Sequence, residues 1–255
     1  MLHWHDMDLN ADIGEHDGEG FARDAELLAI VTSASIACGA HAGSESVMRQ
    51  TIREAAQRGV AIGAHPGYPD RAGFGRKSIS MPAADLAAVI VAQVTALLLC
   101  CDEGGAQLKY VKPHGALYNQ AMRDPTIART IARATSLIDP QLFVLAPAGS
   151  ALAAEAAAAG LRVAREAFID RAYLDDGTLM PRDRDGALLR NPSVAAERAL
   201  VMARDQTVTS ASGEVIAMCA DSLCIHGDSV GALAMVRAAR RRLEQAGMVI
   251  APFAP

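Results

Sequence analysis

Aromatic side chains make up only 4% of this 255-residue chain, which carries a single tryptophan. Recognition that stacks sugars or unpaired bases on ring platforms is therefore not expected. Basic blocks are missing as well: 24 lysines and arginines stand against 29 acidic residues, a formal net charge of -5. A phosphate backbone binds a basic footprint, so nucleic acid is not an expected partner. The run Arg240, Arg241, Arg242 lies in an amphipathic stretch and reads as a solvated helix face. The five cysteines, Cys38, Cys100, Cys101, Cys219 and Cys224, are odd in number and no pair has zinc-site spacing. A reducing cytoplasm fits them. Cys38 sits near His41 and raises the question of a nucleophile, but a small apolar filler at a tight strand end is the favoured reading. No apolar run approaches the ~20 uninterrupted residues that span a bilayer. The opening MLHWHDMDLNAD has no charged region followed by an apolar core, so no signal peptide is expected.

What is present is a core-rich, alternating pattern. Hydrophobic residues make up 51% of the chain. Strand-like runs fall near 7–11, 34–38, 60–64, 108–112, 142–146, 162–168 and 222–226. Between them lie helix-like stretches near 23–32, 45–58, 82–102, 125–136, 149–159, 193–205 and 229–246. Such alternation predicts parallel strands with crossover helices, in one α/β domain over residues 1–255. Gly59 and Gly160 are placed as helix ends, and Ser80-Met81-Pro82 and Asn191-Pro192-Ser193 as helix starts. Two polar, turn-rich insertions leave the C-terminal ends of strands, at 67–80 and 168–190, where such folds keep substrate contacts. A small hairpin is expected at 207–217, turning at Ser212-Gly213.

Four of the seven histidines, His41, His65, His114 and His226, close short runs of small or apolar residues, and Asp12 closes DLNAD in the same way. These positions open onto the face where active sites are built. The full strand-end set is Asn10, Asp12, Glu15, His41, His65, Lys112, His114, Glu166, Asp170, Arg171, His226 and Asp228. Carboxylates with imidazoles supply acid–base chemistry or a nitrogen–oxygen metal site. Asp12, His41 and His65 are the candidate ligands of a divalent cation, although no HxxxH or HxH spacing fixes two histidines on one element. Lys112 is either a charge clamp for a carboxylate or phosphoryl oxygen, or the partner of Asp12 or Glu166 in an ion pair. The 67–80 loop has glycines at 67, 73 and 75 before Arg76 and Lys77, but does not match G-x-x-x-x-G-K-[ST]. An anion clamp including Arg71 and Lys77 and a solvated loop are equal readings of it.

The strings DLNADIGE, SIACGAHAGS, GVAIGAHPGYPDRAGFGRKSI, VKPHGALYN, EAFIDRAYLDDGTLMPR and CIHGD closely resemble the LamB/YcsF family, over nearly the whole chain. The resemblance implies a seven-stranded, distorted β/α barrel of the glycoside hydrolase/deacetylase-like kind. It implies a part in the ATP-dependent opening of 5-oxo-L-proline to L-glutamate, with Mg2+ accompanying ATP, alongside partner subunits B and C. The family's polar positions fall on Asn10, Asp12, His41, His65, Lys112, His114, Glu166, Asp170, Arg171, His226 and Asp228. On this reading Lys112, Arg171 and Lys77 face phosphoryl oxygens, Asp12 or a histidine is the base, and His114 or His226 the acid. Two rivals stand beside it: a metal-dependent amide hydrolase or deacetylase without ATP, and a non-catalytic substrate-binding protein.

Overall fold

In the computed structural model, residues 6–16, 20–226 and 231–254 are described. Seven strands form a closed barrel: β1 Asp8–Ile13, β2 Ser33–Ala37, β3 Ala61–His65, β4 Leu108–Val111, β5 Phe143–Pro147, β6 Arg162–Phe168 and β9 Ser222–His226. Every neighbouring pair in the barrel is parallel, and β9 closes it by pairing with both β6 and β1. The hairpin expected near 207–217 is present as β7 Thr207–Thr209 and β8 Val215–Ala217. It stands apart from the barrel sheet.

The helices are α1 Phe21–Leu28, α2 Glu45–Gln57, α3 Ala83–Glu103, α4 Gly115–Ala121, α5 Pro125–Ile138, α6 Ala151–Ala158, α7 Pro192–Asp205 and α8 Ala232–Gln245. Start signals act where a short polar side chain can satisfy the first free amides. Asn191 accepts from the amides of Ser193 and Val194, with Pro192 in the first turn of α7. At α3 the expected signal differs: Pro82 holds the capping position and Ser80 makes no capping bond. Helix α4 was not expected, since it lacks a side-chain cap and begins with a glycine.

Helix α3 also corrects the sequence expectation about apolar length. It is 21 residues long and apolar enough, by length and composition alone, to cross a membrane. Here it packs on the barrel beside α2 and α5, burying Leu86, Ile90, Val94 and Leu97. Its buried Gln93 bonds both the amide and the carbonyl of Gly67, at 3.0 and 2.8 Å. The helix thereby anchors the 67–80 insertion.

The barrel strands are buried on both faces, but the faces differ in chemistry. Along β1, Leu9, Ala11 and Ile13 join the apolar core between sheet and helices. Asp8, Asn10 and Asp12 alternate with them and meet polar groups instead: Ser33 of β2, Ser222 of β9 and Lys112, just past β4. The two-residue period thus lines the barrel interior with polar layers. At the N-terminal end Asp8 accepts hydrogen bonds from Thr32, Ser33 and Ser222. Higher up, Tyr110 and Ser35 hydroxyls meet at 3.1 Å.

Candidate active site

At the C-terminal mouth, Lys112 is 1% exposed and its ammonium lies between two carboxylates. Nζ is 2.7 Å from Asp12 Oδ1 and 2.8 Å from Glu166 Oε1, and it also donates to Asn10 Oδ1 and Cys224 Sγ at 3.4 and 3.2 Å. Burial alone would lower the Lys112 pKa, but the neighbouring anions, Asp12 first, outweigh it and hold it well above the usual lysine value. Burial would likewise raise Asp12; His65 and Lys112 outweigh it and keep its carboxyl well below the usual range. Both of the ion-pair partners weighed for Lys112 are therefore engaged at once. The second oxygen of Glu166 accepts from the Tyr118 hydroxyl at 2.6 Å.

A second pair faces the same opening. His226, the last residue of β9, has Nδ1 3.0 Å from Asp170 Oδ2, and its backbone amide donates to the same oxygen at 3.2 Å. The ring stacks on Phe168 at 5.0 Å. Burial would raise the Asp170 carboxyl, yet His226 holds it below its ordinary value. Asp170, expected to bind substrate, is occupied instead in orienting a histidine.

His41, His65 and His114 form a separate group with Glu15. One nitrogen from each ring and one Glu15 oxygen all lie within 4.8 Å of one another. His114 Nδ1 is 3.0 Å from both His65 Nε2 and Glu15 Oε1, and His41 Nε2 is 3.3 Å from that same oxygen. His41 is fully buried and burial pushes its pKa down to about 4. Burial would raise Glu15, but the imidazoles of His114 and His41 against it hold it well below the carboxylate range. The set expected to converge on a cation was Asp12, His41 and His65. Asp12 turns instead to Lys112, with its other oxygen 3.4 Å from His65 Nε2, and Glu15 takes its place in the cluster.

These groups border one cavity of about 560 Å³, lined among others by Asp12, His65, Lys112, His114 and His226. The 168–190 insertion forms much of its wall, through Arg171 and residues 178–183. Arg171 is 4% exposed; one terminal nitrogen donates to the Met180 carbonyl at 2.6 Å, while Nε has no acceptor. Burial, and then Arg182, lower its pKa to about 10. Arg76 and Arg182 share the cavity wall. Of the loop cations expected there, Arg71 is exposed and donates to the Gly39 carbonyl at 3.1 Å, and Lys77 is exposed and outside the lining. Arg76, beside Lys77, reaches the cavity in its place. Asp228 lies outside the described residues. Cys38 donates to the Ile36 carbonyl at 3.3 Å and burial pushes its thiol up to about 12, so it is a packed thiol rather than a nucleophile.

The LamB/YcsF family model matches residues 7–255. The chain belongs to the LamB/YcsF family. Within it, the 5-oxoprolinase A subunit of Heliobacterium modesticaldum is 46% identical over 245 residues, 96% of each chain. That of Paracidovorax citrulli is 47% identical over 249 residues, 97% of this chain and 99% of the relative. Among solved structures, the lactam utilization protein of Thermus thermophilus superposes with a TM-score of 0.90 at 43% identity, covering 97% of this chain and 100% of that one.

Proposed function

We propose that this chain is the A subunit of a 5-oxoprolinase, opening 5-oxo-L-proline to L-glutamate at the expense of ATP together with subunits B and C, in the cytoplasm. The observation that carries the reading is Arg171. A guanidinium buried beside a second one, with its Nε lacking an acceptor, calls for an anion, and 5-oxo-L-proline presents a carboxylate. The names of the relatives, a 5-oxoprolinase A subunit and a lactam utilization protein, support the same substrate class.

A five-membered lactam resists water because of amide resonance, which explains a need for ATP. Phosphoryl transfer to the lactam oxygen releases ADP and leaves the ring carbon electrophilic. Water adds there, the C–N bond breaks as nitrogen takes a proton, and a second water releases phosphate from the acyl phosphate. Arg171, Arg76 and Arg182 would neutralise carboxylate and phosphoryl charge, with Mg2+ accompanying the nucleotide. Lys112, held by Asp12 and Glu166, is the cation at the cavity floor. His226, oriented by Asp170, is the proton carrier best placed to serve the departing nitrogen.

The test is turnover by the purified chain, alone and with subunits B and C, on 5-oxo-L-proline and ATP·Mg2+. Coupled formation of glutamate and ADP only in the assembled mixture is expected, with Arg171→Ala raising KM for 5-oxo-L-proline. Glutamate formation without ATP would overturn this reading in favour of direct amide hydrolysis, for which the Glu15 and histidine cluster is the supporting observation.

A further inference from the structure

His65 and His114 aim at one small space with fixed tautomers. His65 Nδ1 is 2.8 Å from the carbonyl oxygen of Lys112, and His114 Nε2 is 2.9 Å from that of Phe74. A carbonyl oxygen only accepts, so each of these nitrogens carries a proton and donates it. With one proton on each ring, His65 Nε2 and His114 Nδ1 are then lone pairs. They lie 3.0 Å apart, and Glu15 Oε1, another acceptor, is 3.0 Å from His114 Nδ1 and 3.8 Å from His65 Nε2. Three acceptors this close repel one another unless a positive species, a proton or a metal ion, sits among them.

We propose that this species is a divalent transition-metal cation of the zinc type, held by Glu15, His65 and His114. A tetrahedral zinc site with bonds of ~2.0–2.1 Å sets its ligand atoms about 3.4 Å apart. The three edges here, 3.0, 3.0 and 3.8 Å, bracket that spacing. Two imidazoles with one carboxylate suit zinc and its neighbours, whereas magnesium prefers an all-oxygen, largely hydrated shell. Hydrogen bonds from the outer ring nitrogens to backbone carbonyls are the supports that metal-binding histidines use. The loop carrying one of these carbonyls holds Phe74 at φ 54°, a left-handed conformation that a phenylalanine adopts only when its surroundings impose it.

His41 is not a fourth ligand. Its ring lies parallel to His114, 3° apart in plane and 3.8 Å between centroids. Lone pairs lie in the ring plane, so two parallel rings cannot direct theirs at one point. His41 Nε2 instead donates to Glu15 Oε1 at 3.3 Å and braces the carboxylate. The fourth direction opens toward the cavity, which His65 and His114 border together with Asp12. The site deepens the lactam-opening reading by placing a Lewis acid beside the substrate space, and its role there rests on that reading.

Binding itself can be measured without substrate, ATP or partners. The full chain, stripped with a chelator and shown to be folded by circular dichroism, is titrated calorimetrically with Zn2+, Co2+ and Mg2+ salts. One Zn2+ per chain is expected, unaffected by excess Mg2+, with Co2+ giving the visible absorption of a tetrahedral site. His41→Ala should weaken binding by about 10- to 100-fold, the cost of losing an outer-shell partner. Glu15→Gln and His114→Ala should weaken it further, and His226→Ala should leave it intact. Should the cluster variants fail to fold, the Co2+ spectrum of the unaltered chain decides. A folded chain that takes up neither Zn2+ nor Co2+ overturns the proposal, as does uptake that Glu15→Gln and His114→Ala leave unchanged. Metal uptake by a chain that never supports lactam turnover would overturn the functional reading alone.

Discussion

Asp170 grips His226 twice: one carboxylate oxygen lies 3.0 Å from the ring Nδ1 and accepts from the backbone amide of the same residue at 3.2 Å. The strands β6 and β9 that bring the two residues together are neighbours in the barrel. The pair fixes the ring and assigns the proton to Nδ1, leaving Nε2 for the substrate side. If His226 serves the departing nitrogen, His226→Ala should lower kcat of the assembled enzyme by about 10²–10⁴-fold, the range for a positioned acid–base group. Asp170→Asn, which keeps the shape and disturbs the tautomer, should lower kcat while changing KM little. Steady-state kinetics across pH on both variants is the measurement. An Asp170→Asn enzyme with the parent pH profile and kcat would leave the dyad without a catalytic part.

The strands were legible because a barrel strand covered on both faces is a short run of small and apolar residues, and each C-terminal end must meet the mouth. That geometry put Lys112, His114, Glu166 and His226 in view from the sequence. The partner choices were not legible. Asp12 lies in a strand with its side chain turned inward to Lys112, while Glu15 comes two residues past the strand end and reaches the histidines. No periodicity distinguishes those two directions in the string DLNADIGE. Arg76 and Lys77 are adjacent in an irregular loop, and only its fold, fastened by Gln93, turns the arginine to the cavity. Helix α3 reads as apolar nearly all round, yet it buries one side, with Leu86, Ile90, Val94 and Leu97, and leaves Leu99 exposed, a division that composition does not reveal.

Gly63 leaves space that the Tyr110 ring fills. A Cβ built on Gly63 would come within 2.1 Å of that ring, which cannot retreat because it is fully buried and tied to Ser35. Gly63→Ala should therefore destabilise the fold by about 1–3 kcal/mol or more, as overpacking does. Combining it with Tyr110→Leu should recover part of that loss, since the clash is removed. Chemical denaturation of the two single variants and the double variant checks this, and strictly additive losses would refute the contact.

Asp8 predicts an unusual pH response at the other end of the barrel. Burial raises its carboxyl to about 6 from 3.8, despite hydrogen bonds from Ser222, Ser33 and Thr32. Between those values the folded chain binds more protons than the unfolded one, so this residue's contribution to stability falls as pH rises from about 4 to 6. The full effect is about 3 kcal/mol at ~1.4 kcal/mol per pK unit. Asp8→Asn should remove that component, and the difference between the two melting-temperature profiles should change through this window. Parallel profiles would show that Asp8 stays ionised.

Lys112 should be the most costly of these residues to replace. Its ammonium is the shared partner of Asp12 and Glu166, both buried, so Lys112→Ala leaves two carboxylates facing each other with no cation between them. Breaking a buried pair in this way costs about 3–5 kcal/mol. The pH dependence gives the signature. Without the ammonium, only His65 and His226 oppose the burial that raises the Asp12 carboxyl, so its folded-state pKa should rise and the folded variant should lose less stability than the parent as pH falls. In the parent, Lys112 and His65 keep Asp12 depressed, and its contribution is present above the unfolded carboxylate value and lost as pH drops below it. Parent and variant should therefore diverge at neutral pH and converge in mild acid. For catalysis, the folded fraction of Lys112→Ala should show kcat of the assembled enzyme reduced by ~10²-fold or more, the scale of losing one preorganised charge-stabilising group. Melting temperature and kinetics measured on the same preparation separate the two roles: a large stability loss with unchanged turnover would make Lys112 a purely structural cation.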